Sequence, residues 1–119
     1  MMALVFSLCF NVNPTLMKSV MRVESNFQES AISSGGDYGL MQIRLNTAKH
    51  FCNIKNIPTL MNPYNNVECG CKILHSLSKR YKGKVPLIIS AYNAGTATST
   101  NKEYVKLVLK YKDLYARTN

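Results

Sequence analysis

The sequence predicts a mainly α-helical domain spanning residues 1–119, with at most a very small β element. Three observations carry that prediction. Apolar residues recur at helical spacing in almost every segment, Asn-Pro pairs and single prolines mark helix starts, and no alternating run is long enough to build a sheet core. A length of 119 residues suits one domain able to bury a core of its own. No repeat, low-complexity tract or linker divides it.

The first ten residues, MMALVFSLCF, are apolar but too short to span a bilayer, which needs about 20 residues. They lack a basic leader and a small-residue cleavage site, so a first core helix is favoured over an export signal. Asn13 before Pro14 pairs an N-cap with a first-turn proline. The helix launched there is read as far as Phe27. Residues 29–45, ESAISSGGDYGLMQIRL, are rich in Ser and Gly and read as a long loop or a small irregular sheet. Asn46 is placed to cap a short helix through Cys52. Asn62 and Pro63 repeat the start signal for a helix carrying Val67, Leu74, Leu77 and Tyr81. Pro86 opens a short apolar helix that stops at YNAG. Thr100 and Glu103 have capping-box spacing, and the last helix aligns Tyr104, Val108, Tyr111 and Tyr115.

The net charge of +9 calls for an anionic partner or surface. Eleven of the 15 basic residues are lysines scattered from Lys18 to Lys112, with no Arg-rich block and no aromatic–basic alternation. That pattern speaks against specific nucleic-acid binding and suits an acidic polymer or a solvated basic surface. Cys69 and Cys71 stand two apart on a helix, so their side chains diverge. A bridge from Cys52 to one of them and buried free thiols both remain open for the four cysteines, Cys9 included. Together with His50 and His75 they match no standard zinc spacing, so neither metal nor cofactor is expected.

One residue breaks the helical pattern. At about 100° per residue, Leu16, Val20, Val23 and Phe27 form a stripe that Met17 and Met21 widen. Glu24 falls inside that apolar face, between Val20 and Met17. Burial of a carboxyl disfavours its charged form and raises its pKa, which suits a general acid in glycoside cleavage. A structurally paired glutamate is the plainer alternative. Glycoside hydrolases ordinarily need a second carboxylate. Of the six acids only Asp37, in SGGDYG, is free to face a cleft, and Gly-Gly-Asp is also ordinary turn chemistry. One firm acid without a firm partner favours a reaction in which the substrate supplies the missing group.

ESNF at 24–27, GLMQI at 39–43, TA at 47–48, AYNAG at 91–95 and YVKLV at 104–108 occur in order. In these motifs the chain resembles the soluble lytic transglycosylases, from about Asn13 to Leu114. It looks closest to the small members associated with secretion, conjugation and phage entry. The resemblance implies a goose-lysozyme-like helical fold and cleavage of the β-1,4 bond between N-acetylmuramic acid and N-acetylglucosamine, leaving a 1,6-anhydromuramoyl end. It implies that Glu24 is the single acid/base, that Ser25, Gln42, Tyr92 and Asn93 contact the glycan, and that Tyr104 hydrogen-bonds Glu24. Glu29 and Asn46 stand where the family often has proline, which bears on loop shape. Asp37 is the departure that matters, because a base there could direct water and make the protein a hydrolytic muramidase. The implied partner is peptidoglycan in the periplasm or cell wall, with no membrane span and a monomeric state. A holin, a virion or a secretion machine would provide the export route.

Overall fold

The computed structural model describes Cys9 and residues 11–118. Apart from Cys9, the first ten residues, read above as a core helix or export signal, lie outside the described residues. The elements run α1 (Pro14–Ser25), β1 (Asp37–Tyr38), β2 (Ile43–Arg44), α2 (Leu45–Cys52), α3 (Ile57–Met61), α4 (Pro63–Arg80), α5 (Val85–Ala94) and α6 (Lys102–Thr118). The architecture is helical with one two-stranded sheet, as the sequence predicts.

The Asn-Pro signals act as read. Asn13 Oδ1 accepts from the N–H groups of Thr15 (2.8 Å) and Leu16 (3.4 Å), and Asn62 Oδ1 accepts from those of Tyr64 (3.0 Å) and Asn65 (3.2 Å). Four expectations need correction. Helix α1 stops at Ser25, because Asn26 (φ 52°) and Phe27 (φ 63°) take left-handed conformations. Phe27 nevertheless packs on the core. Helix α2 starts at Leu45 rather than after an Asn46 cap, and extended Arg44 holds the cap position without a side-chain bond. Helix α3 was not predicted. Asn56 caps it by accepting from the Thr59 N–H at 2.9 Å, with Pro58 in its first turn. The Thr100–Glu103 box is not formed. Thr100 N–H bonds Thr98 Oγ1 (3.2 Å), and the exposed Glu103 reaches Lys106 at 4.0 Å.

Helix α1 packs most extensively on α6, while α4 carries α2, α3 and α5 around it. Met17, Val20, Met21, Leu40, Met41, Leu60, Val67, Leu74, Ile89 and Val108 are fully buried between them. The cysteines are not free thiols. Cys52 bridges Cys69 and ties the end of α2 to α4, and Cys9 bridges Cys71 on a different face of α4. Cys69 and Cys71 do not bridge each other, as their divergence on the helix requires.

The loop between β1 and β2 is latched to α4 by Asn66, which has no exposed surface. Asn66 Oδ1 accepts from Met41 N–H (2.7 Å), while Nδ2 donates to the carbonyls of Tyr38 (2.8 Å) and Leu60 (3.0 Å). A buried amide this fully bonded has its desolvation offset by its partners and fixes the loop. Gly39 (φ 80°) admits the latch, since a Cβ there would stand 2.4 Å from Asn66 Nδ2. Gly70 makes similar room on α4, where a Cβ would meet Met41 Cγ at 2.7 Å.

Candidate active site

A cleft of about 620 Å³ opens among α1, the β1–β2 hairpin, α2, α4 and α5. Glu24 from the end of α1 lies on its wall with Asp37 of β1, Gln42, Arg44 of β2, Thr47 and Phe51 of α2, Arg80 of α4, and Tyr92 and Asn93 of α5. Residues as distant in sequence as Glu24 and Asn93 are thus gathered by the packing of four helices and the hairpin.

Glu24 is half-buried at the end of its apolar stripe. Burial raises its pKa from 4.5 to about 7; the hydrogen bond from Tyr104 opposes the rise, and the nearby Asp37 charge adds to it. Tyr104 Oη donates to Glu24 Oε2 at 2.8 Å from α6, behind the cleft wall. Burial and the Glu24 carboxyl hold both Tyr104 and Tyr92 well above the usual phenol range, so each remains a donor. Tyr92 Oη donates to the Met41 carbonyl at 2.7 Å and pins the GLMQI loop to α5.

Gln42 (φ 49°) bends its amide back, with Nε2 donating to the carbonyls of Ala31 (3.1 Å) and Gly39 (2.9 Å). Its Oε1 is the atom left for the cleft. Asn93 is oriented in the opposite sense. Asn101 Nδ2 donates both to the Ser90 carbonyl (3.0 Å), which fixes it as the amide nitrogen, and to Asn93 Oδ1 (2.9 Å). The Asn93 Nδ2 group is therefore free to donate. Ser25 is apart from this set: it is buried, its hydroxyl donates to the Met21 carbonyl at 3.2 Å, and it does not line the cleft.

Asp37 lines the cleft, yet its carboxylate is engaged. Oδ1 pairs with Arg44 Nε at 3.0 Å across the β1–β2 register, and Oδ2 accepts from Ser33 Oγ at 3.0 Å. Glu68 and Asp113 pair with Lys72 and Arg117 on the helix surfaces, and Glu29 is exposed. Sequence reasoning missed Arg44, Phe51, Arg80 and the Asn101 tether. Arg44 had a signal, since a cation seven residues after Asp37 across a short hairpin can face it. Phe51, Arg80 and Asn101 had none. Among the described residues no three His, Cys, Asp or Glu side chains gather into a metal site, and no helix is long and apolar enough to cross a membrane.

A helical domain with a half-buried, protonatable glutamate in a polar cleft has a lysozyme-like architecture. The same fold occurs in the 70-kDa soluble lytic transglycosylase of Escherichia coli, with a TM-score of 0.84 at 23% identity over 90% of this chain and 22% of that one. Residues 4–113 match the family "Transglycosylase SLT domain", and the chain belongs to it. It is 34% identical over 90 residues to a candidate soluble lytic murein transglycosylase of Haemophilus influenzae, covering 71% of this chain and 15% of that protein. It is 29% identical over 114 residues to Protein IpgF of Shigella flexneri, covering 91% of this chain and 72% of that protein. The chain thus spans a small part of the first relative and most of the second.

Proposed function

We propose that this domain is a peptidoglycan lytic transglycosylase with Glu24 as its single acid/base. The observation that carries the reading is the Glu24–Tyr104 pair within an SLT-family cleft: a carboxyl whose pKa lies at about 7 beside an aligned donor. Because Tyr104 donates to Oε2, the carboxyl proton sits on Oε1. That proton goes to the glycosidic oxygen between N-acetylmuramic acid and N-acetylglucosamine as the C1–O4 bond breaks. The resulting carboxylate then takes the proton of the muramoyl C6 hydroxyl, whose oxygen bonds C1 of the same sugar. Glu24 regains its proton, and no water is consumed. An intramolecular nucleophile already beside C1 needs no second carboxylate to position it.

Gln42, Asn93 and Tyr92 form the glycan-contacting set of this reading. Gln42 Oε1 suits a sugar hydroxyl, and Asn93 Nδ2 suits an acetamido carbonyl. Ser25 acts within α1, its hydroxyl holding the turn that ends beside Glu24 rather than contacting the glycan. A hydrolytic muramidase with Asp37 as base is the second reading, and the Arg44 and Ser33 bonds to Asp37 weigh against it. The domain acts as a monomer on glycan strands in the periplasm or cell wall. The two disulfides favour such an oxidising compartment. A secretion machine or virion provides the route there. Mass analysis of fragments released from purified sacculi tests the reaction. Anhydromuramoyl ends, one water lighter than hydrolysed ends, are expected, and ordinary reducing ends would overturn it.

A further inference from the structure

Two arginines lie on the cleft wall, and their situations differ. The Arg44 charge is balanced by Asp37 at 3.0 Å. Among the described residues no carboxylate pairs with Arg80, and Glu24 is largely protonated below about pH 7. Arg80 is therefore the uncompensated charge of the cleft. It is exposed at the end of α4, yet its position is built. Its Cζ stands 5.3 Å from the centroid of the Tyr81 ring, and Nη2 reaches Thr96 Oγ1 at 3.5 Å. Tyr81 is fixed in turn, with its Oη 3.1 Å from Thr96 Oγ1 and accepting the Ala97 N–H at 2.9 Å. One long contact leaves most of the five guanidinium donors uncommitted.

Apart from Glu24 and the paired Asp37 and Arg44, the other polar side chains of the cleft, among them Gln42, Thr47, Ser76 and Asn93, are neutral and suited to hydroxyl and acetamido groups. A neutral glycan offers nothing to a guanidinium fork, whereas a carboxylate matches it with two parallel charge-assisted bonds. We propose that Arg80 is a specificity-determining residue that binds a carboxylate carried on the lactyl arm of the muramoyl residue. The carboxylate belongs to the peptide where one is attached, since the lactyl carboxyl is then an amide, and is the arm's own where the peptide has been removed. Arg80 would thus separate peptidoglycan from neutral acetylated glycans. The inference rests on the peptidoglycan reading given above.

The test compares wild type, Arg80→Gln and Arg80→Lys on three ligands: peptide-bearing glycan strands, amidase-stripped strands with free lactyl carboxylates, and a neutral chito-oligosaccharide measured by binding. Arg80→Gln should raise KM about tenfold on peptide-bearing strands, with kcat within about twofold, the scale of one charge-assisted contact. Lysine should recover only part of the loss, since it keeps charge without the fork. Chito-oligosaccharide affinity should not move. The loss on peptide-bearing strands reads a peptide carboxylate. Its persistence on stripped strands shows that the freed lactyl carboxylate also reaches Arg80, and its disappearance there confines the contact to the peptide. An unchanged KM on both anionic substrates, or an equal loss on the neutral one, overturns the inference. Binding of Glu24→Gln to strands, with and without Arg80→Gln, reads the contact even without turnover. A wild type that cleaves no strand thus sinks the transglycosylase reading separately.

Discussion

The two walls of the cleft each present a carboxylate, and the walls are built on different physical terms. Glu24 ends a helix held by apolar packing against α6, with Tyr104 as its hydrogen-bond partner. Asp37 sits on a two-residue strand whose hairpin is latched by Asn66 and whose following helix is stapled to α4 by Cys52–Cys69. Enclosure without a countercharge keeps a proton on Glu24 up to about pH 7. A countercharge at 3.0 Å makes Asp37 an ion-pair member. Identical functional groups on facing walls are thus assigned different chemistry by what surrounds them.

Removing the Glu24 proton should break the comparison most severely. Glu24→Gln is expected to lower turnover at least ~10²-fold, the scale of a general acid. The same substitution should stabilise the protein at alkaline pH. The folded pKa of Glu24 lies above its unfolded value, so stability falls as pH rises from 4.5 to about 7 and then levels off. The penalty above pH 7 is about 3 kcal/mol from a shift of that size. Denaturant midpoints should therefore show the Glu24→Gln variant more stable than wild type near pH ~8 and equal to it near pH ~4, on either side of that window. Near-normal turnover by a folded variant would end the catalytic assignment.

The stapled wall should fail to a different insult. Replacing Cys52 and Cys69 together with serine is expected to cost about 2–5 kcal/mol of stability, as for native disulfides in small domains. The Cys52–Cys69 bridge does not touch the helix that carries Glu24, so the pH at which activity falls on the alkaline side should stay where it is. Thermal melts and a pH–rate profile of the double variant check both halves.

Finer substitutions should move that alkaline limb in opposite directions. Tyr104→Phe removes the bond that lowers the Glu24 pKa, so the limb should shift to higher pH, with a few-fold loss of rate as the carboxyl loses its orientation. Asp37→Asn removes a charge that raises it, so the limb should shift to lower pH. That shift should be the smallest effect of the series, because the Asp37 contribution ranks last. Rate should change little, since Asn can still accept from Ser33, and the anhydro product should persist. Reducing muramic ends that vanish in Asp37→Asn would instead make Asp37 a catalytic base.

What could be read from the sequence follows from range. Asn13-Pro14 and Asn62-Pro63 act over the few residues that follow them, so both helix starts were legible. The capping-box spacing of Thr100 and Glu103 also acts locally, but Thr98 and Asn101 took up the polar groups of that loop and the box lost the competition. Glu24 was legible because a carboxyl on an apolar stripe violates the amphipathic pattern that surrounds it. The roles implied for Gln42, Asn93 and Tyr104 came with the motif resemblance, not from periodicity. Arg80 was invisible, because a basic residue in the last turn of a helix is ordinary. Only the approach of the 95–101 loop fixes the ring it stacks on and gives it a cleft to face. The disulfide partners were open for the same reason: the contact that selects Cys69 for Cys52 is made by helix packing.

The Asn66 latch bears on how this sequence can drift over generations. Gly39 leaves the space that the Asn66 amide fills, and the amide supplies the three bonds that hold the backbone from Tyr38 to Met41 and the end of α3. A side chain at 39 collides with the amide, and loss of the amide strands buried backbone groups. Neither position can change first without a cost that the other must already have removed. Across homologues the two should therefore covary, kept as Gly with Asn or replaced as a pair, despite their distance along the chain.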